Sequence, residues 1–150
     1  MSRTIEDILK LFPNTTVNDW KQHDNGGGWV ANTASVADAA YIGPDALAYG
    51  NAQVFGNAQV FGDARVFGNA RVFGNAQVSG NAWETSPLYI QGSAHCATNV
   101  KHGYIAIGCE VHTYAEWLKN YKAIGAKAGY SEEQIKEYKA IIDLFVKVGR

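Results

Sequence analysis

The chain has 150 residues, with 13 Lys and Arg against 14 Asp and Glu and a formal net charge of -1 at pH 7. Charge this balanced gives no strong electrostatic preference for nucleic acid, and with no acidic run the chain is not a mimic of DNA. There is no apolar run of about 18 residues to span a membrane, Met1-Ser2-Arg3 leads into a charged stretch rather than a secretory signal, and two cysteines, Cys96 and Cys109, point to reduced thiols in a cytoplasm.

Residues 1–29 form an N-terminal helix and a lead-in. Ile5, Ile8, Leu9 and Phe12 share one face of a short amphipathic helix that Pro13 ends. Gly26-Gly27-Gly28 precedes Trp29. A phosphate-binding loop would continue into Gly-Lys-Ser/Thr and a helix. Neither follows, so the triplet reads as a flexible approach to what comes next.

From Val30 to Cys96 the chain repeats every six residues. Val30, Val36, Ile42, Ala48, Val54, Val60, Val66, Val72, Val78, Glu84, Ile90 and Cys96 are in phase, and Glu84 alone among them is clearly polar. A small residue stands two before nearly every one, as in Ala52, Ala58, Ala64, Ala70 and Ala76. Residues two apart share one face of a strand, and the Gly-Asn or Gly-Asp that recurs at the same point from Gly50-Asn51 to Gly80-Asn81 tolerates the dihedrals of a corner. Each hexad is therefore one short strand and one corner, three hexads close a coil, and valines and alanines fill its interior. This pattern resembles the hexapeptide-repeat β-helix family. The resemblance implies a mainly β fold: a single-stranded, left-handed parallel β-helix of about four coils over residues 30–96.

Stacking the coils sets outward residues in columns spaced by three hexads. Phe55, Phe61, Phe67 and Phe73 all point out, more aromatic surface than a bare soluble monomer exposes. A homo-oligomer interface, most simply a trimer on a three-sided prism, or the chain's own ends would cover it. Towards the end of the coils Arg65 lies under Trp83, Arg71 under Tyr89 and Gln77 under His95, where Glu84 and Pro87 interrupt the repeat. Arg65, Arg71, Trp83, Tyr89 and His95 are thus the candidate ligand-binding residues. Arginine beside an aromatic grips a planar anion such as a nucleotide, and equally forms a simple cation–π pair on a surface.

Residues 97–150 form a strand and helical module. Tyr104–Cys109 reads as a strand, half of a hairpin with residues near Val100. One helix begins at a Thr113/Glu116 capping box, carries Trp117, Tyr121 and Ile124 on one side, and ends at Gly129. A second begins at Ser131/Gln134, with Tyr130 and Ile135 placed as a staple and a stripe of Ile135, Tyr138, Ile142 and Phe145.

His23-Asp24-Asn25-Gly26-Gly27-Gly28-Trp29-Val30, Gly103–Thr113, Glu116-Trp117-Leu118 and Tyr130–Gln134 resemble the ends of small hexapeptide-repeat proteins of bacteriophages and prophages. That likeness spans most of the chain and implies an origin more than an activity. Hexapeptide β-helices also include acyltransferases that use acyl-CoA and a cleft histidine. Here His23, His95, His102 and His112 lie in no extruded loop; His95, on an outer column, is the candidate base, and no carboxylate orienter is fixed beside it in sequence. Cys109 and His112 have metal-like spacing, but zinc needs about four ligands, and in-phase Cys96 points into the coil.

The expectation is a non-enzymatic phage or prophage binding protein in the host cytoplasm. It would act as an inhibitor of host defence or a sponge for a small nucleotide signal, as a homotrimer with no cofactor, metal, nucleic acid or membrane. An acyltransferase and a structural virion component are the alternatives. Lys101, His102 and His112 offer a second place for a small ligand.

Overall fold

A computed structural model describes residues 2–150. The chain divides into two compact units, one ending at Ser86 and the other running Pro87–Arg150. No helix among the described residues is long and apolar enough to cross a membrane.

The first unit opens with α1 (Ile5–Leu11), capped by a reciprocal Thr4/Asp7 box, then β1 (Trp20–Gln22) and β2 (Trp29–Ala31). Nine short strands follow: β3 (Ser35–Val36), β4 (Tyr41–Ile42), β5 (Leu47–Ala48), β6 (Gln53–Val54), β7 (Gln59–Phe61), β8 (Arg65–Val66), β9 (Arg71–Val72), β10 (Gln77–Ser79) and β11 (Ala82–Trp83). They stack in parallel as β2-β5-β8-β11, β3-β6-β9 and β4-β7-β10. This is a β-solenoid of about three turns. The hexad phase holds throughout its body: Ile42, Val54, Val60, Val66, Val72 and Val78 are fully buried, as are Ala40, Ala46, Ala58, Ala64, Ala70 and Ala76. Gly50, Gly56, Gly62, Gly68, Gly74 and Gly80 hold φ between 57° and 65° at the corners. Side-chain-bearing residues avoid that conformation, which is why the repeat keeps glycine there.

The phase breaks at the last strand. β11 pairs Ala82 with Arg65 and Trp83 with Val66, one residue short of the three-hexad stack. A one-residue slip exchanges the two faces of a strand. Trp83 therefore turns inward and is fully buried, while Ala82 and Glu84 turn out. The driving difference is physical: keeping phase would place the Glu84 carboxylate in an apolar interior at a desolvation cost of several kcal/mol or more, roughly, whereas the slip buries an indole. The expected fourth coil does not form. Tyr89–Gln91 pairs antiparallel with a later strand, and Cys96 begins that strand instead of filling a coil.

The N-terminal segment is a cover, not a flexible lead-in. Ile8 of α1 packs with Trp20, Ala31 and Leu47, so Leu47, outward in the repeat, is fully buried. Arg3 fastens the segment through Nε to the Asp45 carbonyl at 2.8 Å, and its own carbonyl accepts from Trp29 Nε1 at 2.8 Å. The glycine triplet closes the first turn. Gly28 N–H donates to Ile42 O at 2.9 Å, and Ile42 N–H to Asn25 O at 3.0 Å. A Cβ on Gly28 would lie 2.3 Å from Gly43 O, and one on Gly26, at φ 112°, 2.2 Å from Ile42 O. Close backbone approach, rather than phosphate binding, explains these glycines. Buried His23 belongs to the same cap, with Nε2 2.8 Å from Ala40 O.

The second unit is a four-stranded antiparallel sheet and a helical hairpin: β12 (Tyr89–Gln91), β13 (Cys96–Lys101), β14 (Tyr104–Ile107), β15 (Glu110–Thr113), α2 (Tyr114–Lys127) and α3 (Glu132–Val148). Its core joins Ala97, Ile105 and Ile107 of the sheet to Trp117, Tyr138, Ile142 and Phe145 of the helices. The Trp117 indole anchors α2 by donating to Ile105 O at 2.8 Å. Asn99, fully buried in β13, binds the segment after α3. Its Oδ1 accepts from Arg150 N at 3.1 Å, and its Nδ2 donates to Tyr104 O at 3.1 Å and Tyr114 Oη at 2.9 Å.

Candidate functional site

The α2–α3 connection shapes the concave site. After the Ala128 cap, Gly129 takes φ 81°, its N–H donates to Ala126 O at 3.1 Å, and Tyr130 N–H donates to Gly125 O at 2.9 Å. These are the paired bonds of a Schellman turn, and they fold Tyr130 back over the end of α2. A reciprocal Ser131/Gln134 box then starts α3. At Gly125 a Cβ would stand 2.9 Å from Ile135 Cγ1, so glycine lets the two helices close tightly there.

A pocket with a cavity volume of about 80 Å³ enters the unit at this place. Ile107, Trp117, Tyr121, Ile124, Ile135 and Ile142 make it mainly apolar, while His95, Tyr130, Tyr138, Cys109 and Glu110 supply its polar atoms. The β12–β13 turn that carries His95 is held by α3. Tyr138 Oη accepts from His95 N at 2.7 Å and from Ala94 N at 3.2 Å, and it donates to the His95 carbonyl. The Glu137 carboxylate accepts Ser93 N–H at 2.7 Å. Those bonds to Ser93 hold the Glu137 carboxyl below its usual range. A Cβ on Gly92 would lie 2.5 Å from Tyr138 Oη, so this turn needs glycine to seat.

His95 Nδ1 lies 2.6 Å from Tyr130 Oη, with the two rings stacked at 5.8 Å. Burial, first, and the neighbouring Tyr138 push the Tyr130 phenol up to about 12, so it keeps its proton at ordinary pH. A protonated phenol both donates and accepts, so the direction of this bond follows the imidazole tautomer. Beside the pocket, His112 Nε2 lies 2.7 Å from Glu110 Oε2 and Nδ1 lies 3.2 Å from Glu116 Oε2, with the ring edge-on to Trp117. Thr113 caps α2 through Glu116 N–H at 3.2 Å. The Glu116 carboxylate that was expected to complete that capping box bonds His112 instead.

Of the residues predicted as a cluster, Arg65, Arg71 and Trp83 belong to the first unit and Tyr89 and His95 to the second. Arg65 is half-buried on β8; burial raises the Tyr49 phenol, and the Arg65 charge opposes that shift in part. Arg71 is exposed on β9, the last strand of its sheet, and its backbone N–H donates to Ser86 Oγ at 2.8 Å. Trp83 is not in the Arg65 column, because of the register slip, and has no outward face. Tyr89 is not stacked in the strand after Arg71; it pairs with Thr98, and its Oη donates to Gln91 Oε1 at 3.2 Å. His95 lines the pocket described above. Tyr130, Tyr138, Gly125 and Ile135, absent from the predicted site, line it with His95; the Tyr130-Ser131 junction was visible as a helix start, but its meeting with His95 is tertiary.

Among the predicted interface residues, Phe67 stacks on Tyr49 at 4.9 Å, and Tyr49 continues to Phe12 at 4.8 Å. The chain's own N-terminal segment therefore covers that column. Phe61 is half-buried, while Phe55 and Phe73 remain 39% and 48% exposed. Lys101 sits over the Tyr104 ring at 5.4 Å. Cys96 and Cys109 are free thiols, and no group of three or more His, Cys, Asp or Glu among the described residues is suited to hold a metal.

Residues 58–74 and 64–80 match the family model described as the YdcK beta solenoid repeat. The match lies wholly on the central hexads, and it agrees with the stacked strands there. No curated protein and no solved structure matches the chain.

Proposed function

We propose that the protein is a non-enzymatic binding protein of the phage and prophage hexapeptide-repeat kind, acting in the host cytoplasm. In this reading the solenoid is left-handed and serves as a trimeric shaft, and the unit Pro87–Arg150 holds a small ligand. The observation that carries the reading is the apolar pocket with a fixed hydrogen-bonding rim at His95 and Tyr130. Apolar concavities with a few placed polar groups are the usual form of ligand sites. The trimer is supported by the exposed Phe55 and Phe73 side chains, which directly follow the paired strands β6 and β9. The biological role, inhibition of host defence or sequestration of a small signal, rests on the resemblance of the chain's ends.

Acyl transfer would need a histidine with one nitrogen oriented by a carboxylate and the other open to substrate. His112 has carboxylates on both nitrogens, and His95 is held by a phenol.

Thermal-shift screening of the full chain against nucleotides, acyl-CoAs and small amphiphiles tests the proposal, alongside Ala128→Trp. Ala128 is exposed on the pocket rim, so an indole there blocks the mouth without entering the core. A ligand at a hundred times its Kd stabilises the native state by about 2.7 kcal/mol, and that stabilisation is expected in the wild type and absent from Ala128→Trp. Stabilisation that survives Ala128→Trp and is lost in Arg65→Ala with Arg71→Ala moves the site to the solenoid. Turnover of acyl-CoA with an acceptor makes the protein an enzyme and ends this reading. Sedimentation at micromolar concentration is expected to give a trimer; a monomer refutes the assembly.

A further inference from the structure

The outer side of the α2–α3 hairpin carries a second concavity, a groove of about 540 Å³. Lys122, Lys136 and Lys139 line it with Glu132, so its lining is net cationic. On α3 the positions 132, 135, 136 and 139 follow the spacing of one helix face. Lys139 Nζ is 2.6 Å from both Asp143 oxygens and 5.6 Å from the Tyr121 ring centroid, and Lys122 Nζ is 6.0 Å from the same ring. Lys122 and Lys136 are exposed and form no ion pair among the described residues.

Tyr121 and Ile135 line this groove and also the apolar pocket. One wall of two side chains thus stands between an apolar hole and a cationic trough. The pocket itself offers no ammonium or guanidinium group, and its polar rim is already bonded at His95, Tyr130 and Tyr138. A ligand with an anionic group therefore finds its counter-charge only by reaching over that wall.

We infer that the site takes an amphipathic anion: a compact apolar group seated in the pocket, joined to a phosphate or carboxylate lying between Lys122 and Lys136. The inference rests on the pocket being the binding site. The size of the hole narrows the apolar part. A cavity of about 150 Å³ holds benzene, and this one is about 80 Å³. It fits the end of an alkyl chain or a short branched group better than a purine or a larger ring. The ammonium groups attract the anion through solvent, so the attraction weakens with salt.

Calorimetric titration of the full chain with octyl phosphate, octanoate, octanol and inorganic phosphate tests this. At least one of the two anionic amphiphiles is expected to bind ten times more tightly than octanol, with affinity falling as salt rises, and the stronger of the two names the head group. The double variant Lys122→Gln with Lys136→Gln, both at exposed helix positions, is expected to bring the anions down to the affinity of octanol while leaving the circular dichroism spectrum and octanol binding unchanged. Ala128→Trp is expected to abolish binding of all three eight-carbon probes. Equal affinity for octanol and the anions, unchanged in the lysine variant, overturns this inference and leaves the pocket standing. Anion binding that persists in Ala128→Trp, or inorganic phosphate bound as tightly as octyl phosphate, makes the groove an independent anion site and overturns the two-part ligand. No binding by any eight-carbon probe overturns both the inference and the pocket reading beneath it.

Discussion

Tyr138→Phe removes one oxygen and tests whether α3 holds the β12–β13 turn. Tyr138 is 3% exposed, and its hydroxyl serves three backbone groups: the N–H groups of Ala94 and His95 and the His95 carbonyl. A net intramolecular hydrogen bond contributes about 0.5–1.5 kcal/mol, and a buried group left unpaired costs about 1–3 kcal/mol. The 3.2 Å bond to Ala94 is the weakest of the three, and the turn residues themselves are exposed, so water replaces part of what is lost. The expected cost is about 2 kcal/mol. For a protein of this length that lowers the melting temperature by about 4–8 °C. Urea unfolding followed by far-UV circular dichroism measures the total, and amide exchange measures the turn: Ala94 and His95 should exchange about thirty-fold faster if the whole loss is local. Tyr130→Phe is the control, because its phenol bonds side chains, the exposed His95 imidazole and Tyr138, rather than the backbone of the turn, and it is expected to cost about 1 kcal/mol or less. Equal effects of the two variants, or no change in exchange at Ala94 and His95, refute the reasoning.

Three further outcomes are expected. Val66→Asp places a charge in the solenoid interior and should leave no stable fold at 37 °C, whereas Gln59→Asp on an outward, exposed position should shift stability by less than about 0.5 kcal/mol; chemical denaturation of both checks the inward phase. Trp83→Ala should cost about 3–5 kcal/mol and Glu84→Ala almost nothing in the same assay, the reverse of what an unslipped repeat demands. Tyr130, raised to about 12, stabilises the fold fully below the ordinary tyrosine range, and that contribution is lost as pH climbs from about 10 through 12. Burial raises the Tyr49 phenol as well, so ultraviolet titration should show late phenol ionisation that Tyr130→Phe diminishes by one tyrosine, and a late amplitude unchanged in that variant would refute the assignment.

The body of the solenoid was legible because one short rule, an aliphatic residue with a small residue two before it and, from Gly50 to Gly80, glycine at the corner, is satisfied by each of those hexads independently. Val54 through Val78 are buried where that rule puts them, and the corner glycines hold the positive φ it implies. The rule failed where a tertiary choice competed with it. At Trp83 and Glu84 periodicity counts positions, but the chain weighs burial of an indole against burial of a carboxylate, and it slips. Leu47 reads as outward until a distant helix covers it. The second sheet hid for another reason: Ala97, Thr98, Asn99 and Val100 are all buried, so β13 shows no alternation to detect. The pocket depends on a helix end, a hairpin turn and a second helix meeting. Its local parts, the glycine at 129 and the cap at Ser131, were readable, but the pairing of His95 with residues 35 and 43 positions away was not.

The most direct test of the account is a chemical-shift map of the isotopically labelled full chain titrated with octyl phosphate and octanoate. Binding in the unit Pro87–Arg150 predicts that the amides of His95, Gly108, Gly125, Tyr130 and Ile135 move together and saturate along one curve. Shifts confined to the Arg65, Arg71 and Phe73 strands of the solenoid, with those five amides still, would contradict it.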